Sequence, residues 1–453
     1  MGTFYVQNFG CRATQADGAA IERQFLDEGL KPASSIANAQ LVVLNTCTVT
    51  ASADKDARAA IRRVHRENPD CQIVVTGCYA QRAPDEVAAL PGVSRVIGNS
   101  HKHELVPLVV PRSEGFIPLS ELGLQARQRP GQRLTLVSDI FAHTELLAAP
   151  VFDAANERTR PNLKIQDGCD NRCSFCVIPF VRGQSRSLPL ERILHEVNAL
   201  VSAGYREVVI SGINLGRWGR DLERLRFEDL IHAILEQTRL EKLRVSSVEP
   251  MDWSDDLIAE VAESPRIAKH AHVPMQSGSD RVLRAMHRKY RPWHYREKIK
   301  KIREAMPTAA IGADVMVGFP GETEADFEET RQMVEDLPFT YLHVFTYSPR
   351  PGTPAALMKA QVPVSVARDR NRALRDLSSE KKLEFMKSFV GTTVEAIALN
   401  VSSGGFTEAL TDNYLKLRLK GKHEANRWVM AKVEAVENGA FIGAVANDYT
   451  PAP

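Results

Sequence analysis

Three times in the first eighty residues an apolar run of strand length ends at a cysteine. Thr3-Phe-Tyr-Val-Gln-Asn8 leads to Gly10-Cys11, Leu41-Val-Val-Leu-Asn-Thr46 to Cys47, and Gln72-Ile-Val-Val-Thr-Gly77 to Cys78. Between them lie two stretches of helical spacing, Ala19 to Glu28, stopped by Gly29, and an arginine-rich run from Ser52 to Asn68. Strands alternating with helices predict a parallel α/β sheet. In open sheets of this kind the carboxyl ends of the strands line the binding crevice. Cys11, Cys47 and Cys78 can therefore converge although they are far apart in sequence. A single such cysteine is commonly a packed core residue, but three at equivalent positions favour a metal site. Cys71 differs. It opens the third strand, roughly 20 Å from Cys78 at the rise of a strand, and reads as a passive thiol.

A second cysteine set follows Leu163-Lys-Ile-Gln-Asp-Gly168 and runs Cys169-Asp-Asn-Arg-Cys173-Ser-Phe-Cys176, with no cysteine downstream. Structural zinc closes with four ligands, and an electron-transfer cluster takes four thiolates. Three thiolates on a four-iron cluster leave one iron open to a small molecule. The competing reading is a zinc knuckle completed by a distant histidine. The Cys-x3-Cys-x2-Cys spacing resembles the signature of the radical S-adenosylmethionine enzymes, with Phe175 at the aromatic position before the third cysteine. The resemblance implies that the open iron holds the amino and carboxylate groups of S-adenosylmethionine.

With 453 residues the chain has room for about two to four domains. Its 43% hydrophobic and 25% charged content is that of a soluble globular protein. There is neither an apolar run long enough to span a membrane nor a signal-peptide pattern at the N-terminus. A cytoplasmic protein whose seven cysteines serve as metal ligands rather than disulfides is expected. Lys+Arg 58 against Asp+Glu 56 leaves the chain nearly neutral, so binding of nucleic acid would need local basic surfaces.

From Arg160 to about Glu384 the alternation resumes. Strands are predicted at Asn162–Gln166, Glu207–Ser211, Lys242–Val248, Ala271–Met275, Ala309–Val317 and Tyr341–Tyr347, with helices such as Glu191–Ala203, Phe227–Thr238 and Asp280–His287 between them. Six parallel strands suggest an incomplete α/β barrel with its chemistry at the carboxyl ends. His270 and His272 share one strand face and read as hydrogen-bonded strand-end histidines before they read as a metal pair. The stretch of about 108–155 carries Pro111, Pro130 and Pro150 and reads as a connector, with a strand candidate at Arg133–Val137. Neither a phosphate-binding P-loop nor a His-Glu-x2-His motif is present.

The set Gly10-Cys11, Asn45-Thr-Cys47-Thr-Val-Thr50, Thr76-Gly-Cys78-Tyr-Ala-Gln81 and the downstream triad, in this order, resembles the methylthiotransferases over essentially the whole chain. Asn45-Thr-Cys-Thr-Val-Thr50 looks most like the branch acting on N6-threonylcarbamoyladenosine at position 37 of tRNA. One departure stands out: Thr14 occupies a position where the family usually has asparagine. The resemblance implies two [4Fe-4S] clusters, an auxiliary one on Cys11, Cys47 and Cys78 and a radical-generating one on Cys169, Cys173 and Cys176. It also implies that Ser211-Gly212-Ile-Asn214-Leu-Gly216, Glu249, Gln276-Ser277-Gly278 and Gly318-Phe-Pro-Gly-Glu322 line the cofactor pocket together with Phe175. The implied reaction begins when the radical cluster passes an electron to S-adenosylmethionine. The 5′-deoxyadenosyl radical so formed takes hydrogen from adenine C2, and the auxiliary site delivers a sulfur methylated by a second S-adenosylmethionine. Expected partners are the tRNA anticodon loop, S-adenosylmethionine and a reductant such as flavodoxin or ferredoxin, with the enzyme a monomer.

The last segment changes to short strands, Thr392–Leu399, Phe406–Leu410, Tyr414–Leu419, Arg427–Val436 and Phe441–Val445, which predict a five-stranded β-barrel. It resembles the small TRAM-like domain that closes many RNA-modifying enzymes. Alternation places Leu415, Leu417 and Leu419 inside and Tyr414, Lys416, Arg418 and Lys420 on one outer face. An aromatic beside three cations suits single-stranded RNA; the alternative is an ordinary solvated face. Two further basic groups, Arg281 to Arg303 and the helical face of Arg58, Arg62 and Arg66 with Arg63, could hold phosphates or be solvated surfaces. The domains expected are thus an N-terminal methylthiotransferase domain (1–107), a connector (108–155), a radical core (156–386) and an RNA-binding barrel (387–453). Other readings are a sibling enzyme acting on N6-isopentenyladenosine-37 or on a ribosomal-protein side chain, and an iron–sulfur RNA-binding sensor.

Overall fold

The computed structural model describes residues 2–110, 134–143, 159–223 and 225–448. Its N-terminal part is a six-stranded parallel sheet built from β1 (Thr3–Asn8), β2 (Lys31–Pro32), β3 (Leu41–Thr46), β4 (Gln72–Gly77), β5 (Val93–Gly98) and β6 (Leu134–Leu136), in the order β2-β1-β3-β4-β5-β6. β3 is buried along its whole length and β4 nearly so, which explains their unbroken apolar runs, since a central parallel strand is covered on both faces. β6 supplies the sixth strand, inside the strand candidate Arg133–Val137 of a stretch that otherwise reads as connector in sequence. Pro111, Pro130 and Pro150 lie outside the described residues.

The first helix runs Arg12–Asp27, starting directly after Cys11 and not at Ala19. Its opening turns carry Thr14 and Asp17, polar residues that are nevertheless buried, so no apolar period announces them. The helix lies close on β1 because residue 18 is glycine: a Cβ there would fall 1.8 Å from the Asn8 side-chain oxygen.

Gly77 is the tighter constraint. It adopts φ +96°, and a Cβ would sit 2.3 Å from the Thr46 carbonyl oxygen and 2.6 Å from its nitrogen. Gly77→Ala is expected to destabilise the protein by at least about 2 kcal/mol, since both overpacking and left-handed backbone are penalised. Gly77 also sets the direction of Cys78, so iron content would fall with it if Cys78 holds iron. Denaturant unfolding and iron analysis read the two effects.

The central part has six parallel strands in two three-stranded sheets, β7 (Asn162–Lys164), β10 (Glu207–Ser211) and β11 (Lys242–Val245), then β12 (His270–His272), β13 (Ala310–Val317) and β14 (Tyr341–Thr346). A short antiparallel pair, β8 (Gln166–Asp167) and β9 (Arg186–Ser187), lies between β7 and β10 in the chain. Parallel bridges Leu243↔Ile267 and Ser247↔His272 join the two sheets into a partial barrel. Leu163, Val208, Ile210, Leu243, Ala271 and Ile311 are among the side chains of its core.

Helix Val364–Lys387 packs along β14 and leads into the last domain. There β15 (Thr393–Ser403), β16 (Phe406–Thr411), β17 (Lys416–Lys420), β18 (Trp428–Glu437) and β19 (Ala440–Asp448) close a barrel in the order β15-β16-β17-β19-β18. Leu415, Leu417 and Leu419 are buried inside it. Among the described residues no helix is long and apolar enough to cross a membrane.

Candidate active site

The upstream cysteines sit at strand ends held in register. Asn8 of β1 lies opposite Asn45 of β3, and Asn45 opposite Thr76 of β4, so the loops that follow emerge side by side. β1 and β3 flank the point where the strand order reverses, which is where open α/β sheets form their crevice. Gly10 makes the close approach there: its missing Cβ would lie 2.7 Å from the Cys47 sulfur. Asn45, fully buried, ties the loops together, donating to the Asn8 side chain at 3.0 Å and to the Thr14 carbonyl at 2.7 Å while accepting from Lys102 at 3.3 Å. Burial, with Cys78 and Cys11 nearby, pushes the Cys47 thiol up to about 12. A buried thiol so disfavoured as a thiolate suits a bound cation that would take up its charge. Cys71 is also buried, but within the apolar cluster of Val42, Ile73 and Val93, apart from the others.

The downstream triad lies on the loop after β8. Gly168 turns it with φ +74°, where a Cβ would fall 1.9 Å from the Gln184 carbonyl. Gln166 braces the loop by donating to the carbonyls of Asp167 and Gly168, and it accepts the Asn214 backbone N–H at 2.7 Å. Arg288 donates to the Cys173 sulfur at 3.3 Å and pairs with Glu249. Burial, with Cys173 beside it, pushes the Cys176 thiol up to about 12. Phe175 meets Phe319 edge-on at 6.5 Å. All seven cysteines are free thiols.

A cavity of about 610 Å³ joins the two regions. Cys11 and Arg12 line it from the N-terminal domain, Ser211 to Asn214, Glu249 and Gln276 from the barrel, and Tyr414 from the last domain. Ser211 Oγ and Asn214 Oδ1 are buried without a hydrogen-bond partner, as expected of groups that wait for a polar ligand. Asn214 Nδ2 stands 3.7 Å from the Cys169 sulfur. These unmet acceptors, one of them on a residue that touches the first thiol of the triad, fit a cluster carrying a polar small molecule. Opposite them, His270 and His272 contact the Tyr341 hydroxyl at 2.7 and 3.2 Å. Burial, with Arg244 adjacent, holds His270 well below the usual imidazole range, so it stands there as neutral imidazole. The pair is hydrogen-bonded, in keeping with the simpler reading of the sequence.

Several expected positions lie elsewhere. Ser277 is turned into the core, its hydroxyl on Thr330 and the Ser279 amide, so only Gln276 of that turn lines the cavity. Glu322 is likewise buried against Gly318 and Arg370. Tyr414 does not share the outer face of β17. It precedes the strand at φ +68°, a left-handed turn residue that breaks the alternation. Its ring packs 5.0 Å from His270 and under the Arg244 guanidinium at 5.3 Å. Lys416 remains exposed, Arg418 stacks on Phe406 at 4.3 Å and Lys420 pairs with Glu434.

The basic run after Arg281 is largely committed to ion pairs, Arg281 with Asp326, Arg284 and Arg291 with Asp280, Arg296 with Asp336, and Lys298 and Lys301 with Asp255. Arg288, from the same run, turns inward. In the other group Arg58 pairs with Glu86, whereas Arg62 and Arg66 are exposed.

Spacing gave no hint of one feature. Asp17, Lys102, Lys164, Asp167 and Arg182 form a fully interior charge network where the N-terminal and central domains meet. Arg182 donates to Asp167 at 2.9 and 3.0 Å, to Asp17 at 3.0 Å and to the Thr14 hydroxyl at 3.2 Å. Thr14 in turn lies 3.5 Å from the Cys11 sulfur. Threonine thus links the first cysteine to a cation of the other domain.

A partial parallel barrel whose three-cysteine loop lies against a cavity with unmet polar groups, with Asn214 touching both, is the architecture of a radical S-adenosylmethionine enzyme. The sequence profile of the Radical SAM superfamily matches residues 163–334, and that of the uncharacterized protein family UPF0004 matches residues 3–98. Superfamily membership implies one [4Fe-4S] cluster and S-adenosylmethionine. Among solved structures, the radical methyltransferase TsrM from Kitasatospora setae shares the fold at TM-score 0.57 with 15% identity, covering 78% of this chain and 75% of that one. The threonylcarbamoyladenosine tRNA methylthiotransferase MtaB of Bacillus subtilis is 36% identical over 99% of this chain and 98% of its own length. The tRNA-2-methylthio-N(6)-dimethylallyladenosine synthase of Endomicrobium trichonymphae is 32% identical over 93% and 94%. The chain belongs to the methylthiotransferase family of radical S-adenosylmethionine enzymes.

Proposed function

We propose that this methylthiotransferase converts N6-threonylcarbamoyladenosine at position 37 of tRNA to its 2-methylthio derivative, replacing C2–H by C2–SCH3. One observation carries the reading: a single cavity has Cys11 of the upstream triad in one wall and Asn214, which touches Cys169 of the downstream triad, in another. An adenine ring admitted there would meet both halves of the chemistry. The substrate branch is supported by the full-length likeness to relatives named for threonylcarbamoyladenosine in Bacillus subtilis and Thermotoga maritima.

Cys169, Cys173 and Cys176 would hold the cluster that binds S-adenosylmethionine, and Cys11, Cys47 and Cys78 an auxiliary one. When bound, the clusters supply the electron for cleavage of S-adenosylmethionine and the site of sulfur delivery. The chain's own residues prepare the site. Arg288 places positive charge against Cys173 and fixes Glu249 at the cavity wall. Ser211 and Asn214 offer unmet oxygens that would accept from the amino N–H groups of S-adenosylmethionine. Neutral His270, with Tyr341 and Tyr414, forms an aromatic wall that excludes water and can face a base. Lys416, Arg418 and Lys420 on the terminal barrel would meet backbone phosphates of the anticodon loop. The reading has the enzyme working as a cytoplasmic monomer with a flavodoxin- or ferredoxin-type reductant.

Nucleoside analysis of tRNA from a deletion strain tests it. The 2-methylthio-N6-threonylcarbamoyladenosine peak should vanish and the unthiolated nucleoside accumulate. Loss of the 2-methylthio-isopentenyl nucleoside instead would overturn the assignment in favour of the sibling activity.

A further inference from the structure

The cavity is electrically lopsided. Each of the two acids in its walls is already engaged: Glu249 with Arg288, and Asp314 at 3.2 Å from His272. Arg244 is spent as well. Its guanidinium donates to Glu207 at 2.6 Å and to the carbonyls of Asp412 and Thr411. Arg12 is different. It stands in the first turn of helix Arg12–Asp27, exposed, with its side chain in the cavity wall. Among the described residues it has no carboxylate partner, and the hydrogen bond it makes is to the Tyr414 hydroxyl at 3.1 Å. A guanidinium offers five donors in a planar fork matched to a carboxylate. One of the Arg12 nitrogens is held by Tyr414, which leaves the rest of the fork for a ligand.

An adenosine whose N6 carries a threonylcarbamoyl group differs from one carrying a dimethylallyl group in one decisive respect. The first ends in a free carboxylate and a hydroxyl, the second in branched hydrocarbon. Arg12 and Tyr414 would leave the first well paired and the second facing an unsatisfied cation, an asymmetry that gives polar sites their strong discrimination. We propose that Arg12, braced by Tyr414, binds the carboxylate of the N6 substituent and so selects the anionic substrate. This rests on the proposed function and deepens it, assigning the choice of substrate to one side chain contributed by the N-terminal domain and steadied by the C-terminal one.

The test varies both partners. Reconstituted holoenzyme is assayed on tRNA bearing N6-threonylcarbamoyladenosine and on the same tRNA with that carboxylate converted to its methyl ester. The wild type should prefer the acid by about 10- to 100-fold in kcat/KM, the usual weight of a charged hydrogen bond, chiefly through KM. Arg12→Gln should bring the ratio of acid to ester near one, and Arg12→Lys should restore much of the preference. Tyr414→Phe, which frees the guanidinium from its brace, should lose part of it. A purely structural role for Arg12 would lower acid and ester together and leave the ratio unchanged.

A wild type that accepts the ester as well as the acid overturns the inference, as does an Arg12→Gln enzyme that keeps the wild-type ratio. A wild type that methylthiolates dimethylallyl tRNA and ignores threonylcarbamoyl tRNA overturns the proposed function itself.

Discussion

Alanine at Cys169, Cys173 and Cys176 together is expected to abolish deoxyadenosine formation and methylthiolation alike, whereas alanine at Cys11, Cys47 and Cys78 should abolish methylthiolation and leave cofactor cleavage at least partly intact. The asymmetry follows from the site. Asn214, Arg288 and Glu249 gather around the downstream triad and depend on none of the upstream cysteines. The upstream triad reaches the same cavity only through Cys11. Chromatography of deoxyadenosine and of digested tRNA separates the two outcomes, and the upstream triple variant should also lose about half its iron if each site holds one four-iron cluster. Thiolation of tRNA by that variant would refute the sulfur-site assignment. Cys71→Ala is the control, since its sulfur packs among Val42, Ile73 and Val93; iron content and both products should be unchanged.

The second large effect concerns the interior charges that join the domains. Arg182→Met leaves Asp17 and Asp167 short of their shared cation inside the protein. Breaking such a buried pair from one side costs about 3–5 kcal/mol, read as a lower midpoint in denaturant. Acid unfolding gives the sign. Burial alone would raise the Asp17 carboxyl, but Lys102, Lys164 and Arg182 outweigh it and hold it at about 2. Asp167 is lowered further in the same way, against burial and chiefly by Arg182 and Lys164. Both folded-state values lie below the ordinary carboxyl value, so their stabilisation is complete above about pH 4. It is lost as the pH falls toward 2. Arg182→Met should therefore move the acid-unfolding midpoint to higher pH as well as lower the stability at neutrality. Asp17→Asn in the same background should recover part of the loss, because it removes one stranded charge.

Much of the fold can be read from period alone. The buried central strands β3 and β4 show as unbroken apolar runs, and the barrel strands as apolar runs between helical stretches. The clean leucine alternation of β17 gave the inner face of the terminal barrel. Failures cluster where polar residues are buried. Helix Arg12–Asp27 begins one turn after another of polar side chains, because those side chains pair with a different domain. β6 falls inside the strand candidate Arg133–Val137, but its place as the sixth strand of the N-terminal sheet is set by pairing with β5 and not by local pattern. Ser277 and Glu322 occupy loops that look equivalent to Gln276 in sequence, and only packing decides which of them faces the cavity.

Two things were determined by the sequence itself. The six cysteines and their spacing specify the chemistry available, since ligand type and number are properties of residues and not of their arrangement. The strand-end positions of Cys11, Cys47 and Cys78 specify that three distant residues can meet, because parallel strands in register deliver their carboxyl ends to one edge. The tertiary structure decided what stands around them. It turned Arg288 out of a basic run and onto Cys173, moved Tyr414 from a solvent face to the cavity and set Arg12 beside it with most of its guanidinium unspent. Pairing between side chains hundreds of residues apart leaves no periodic trace in a chain. It appears only when three domains close around the same space.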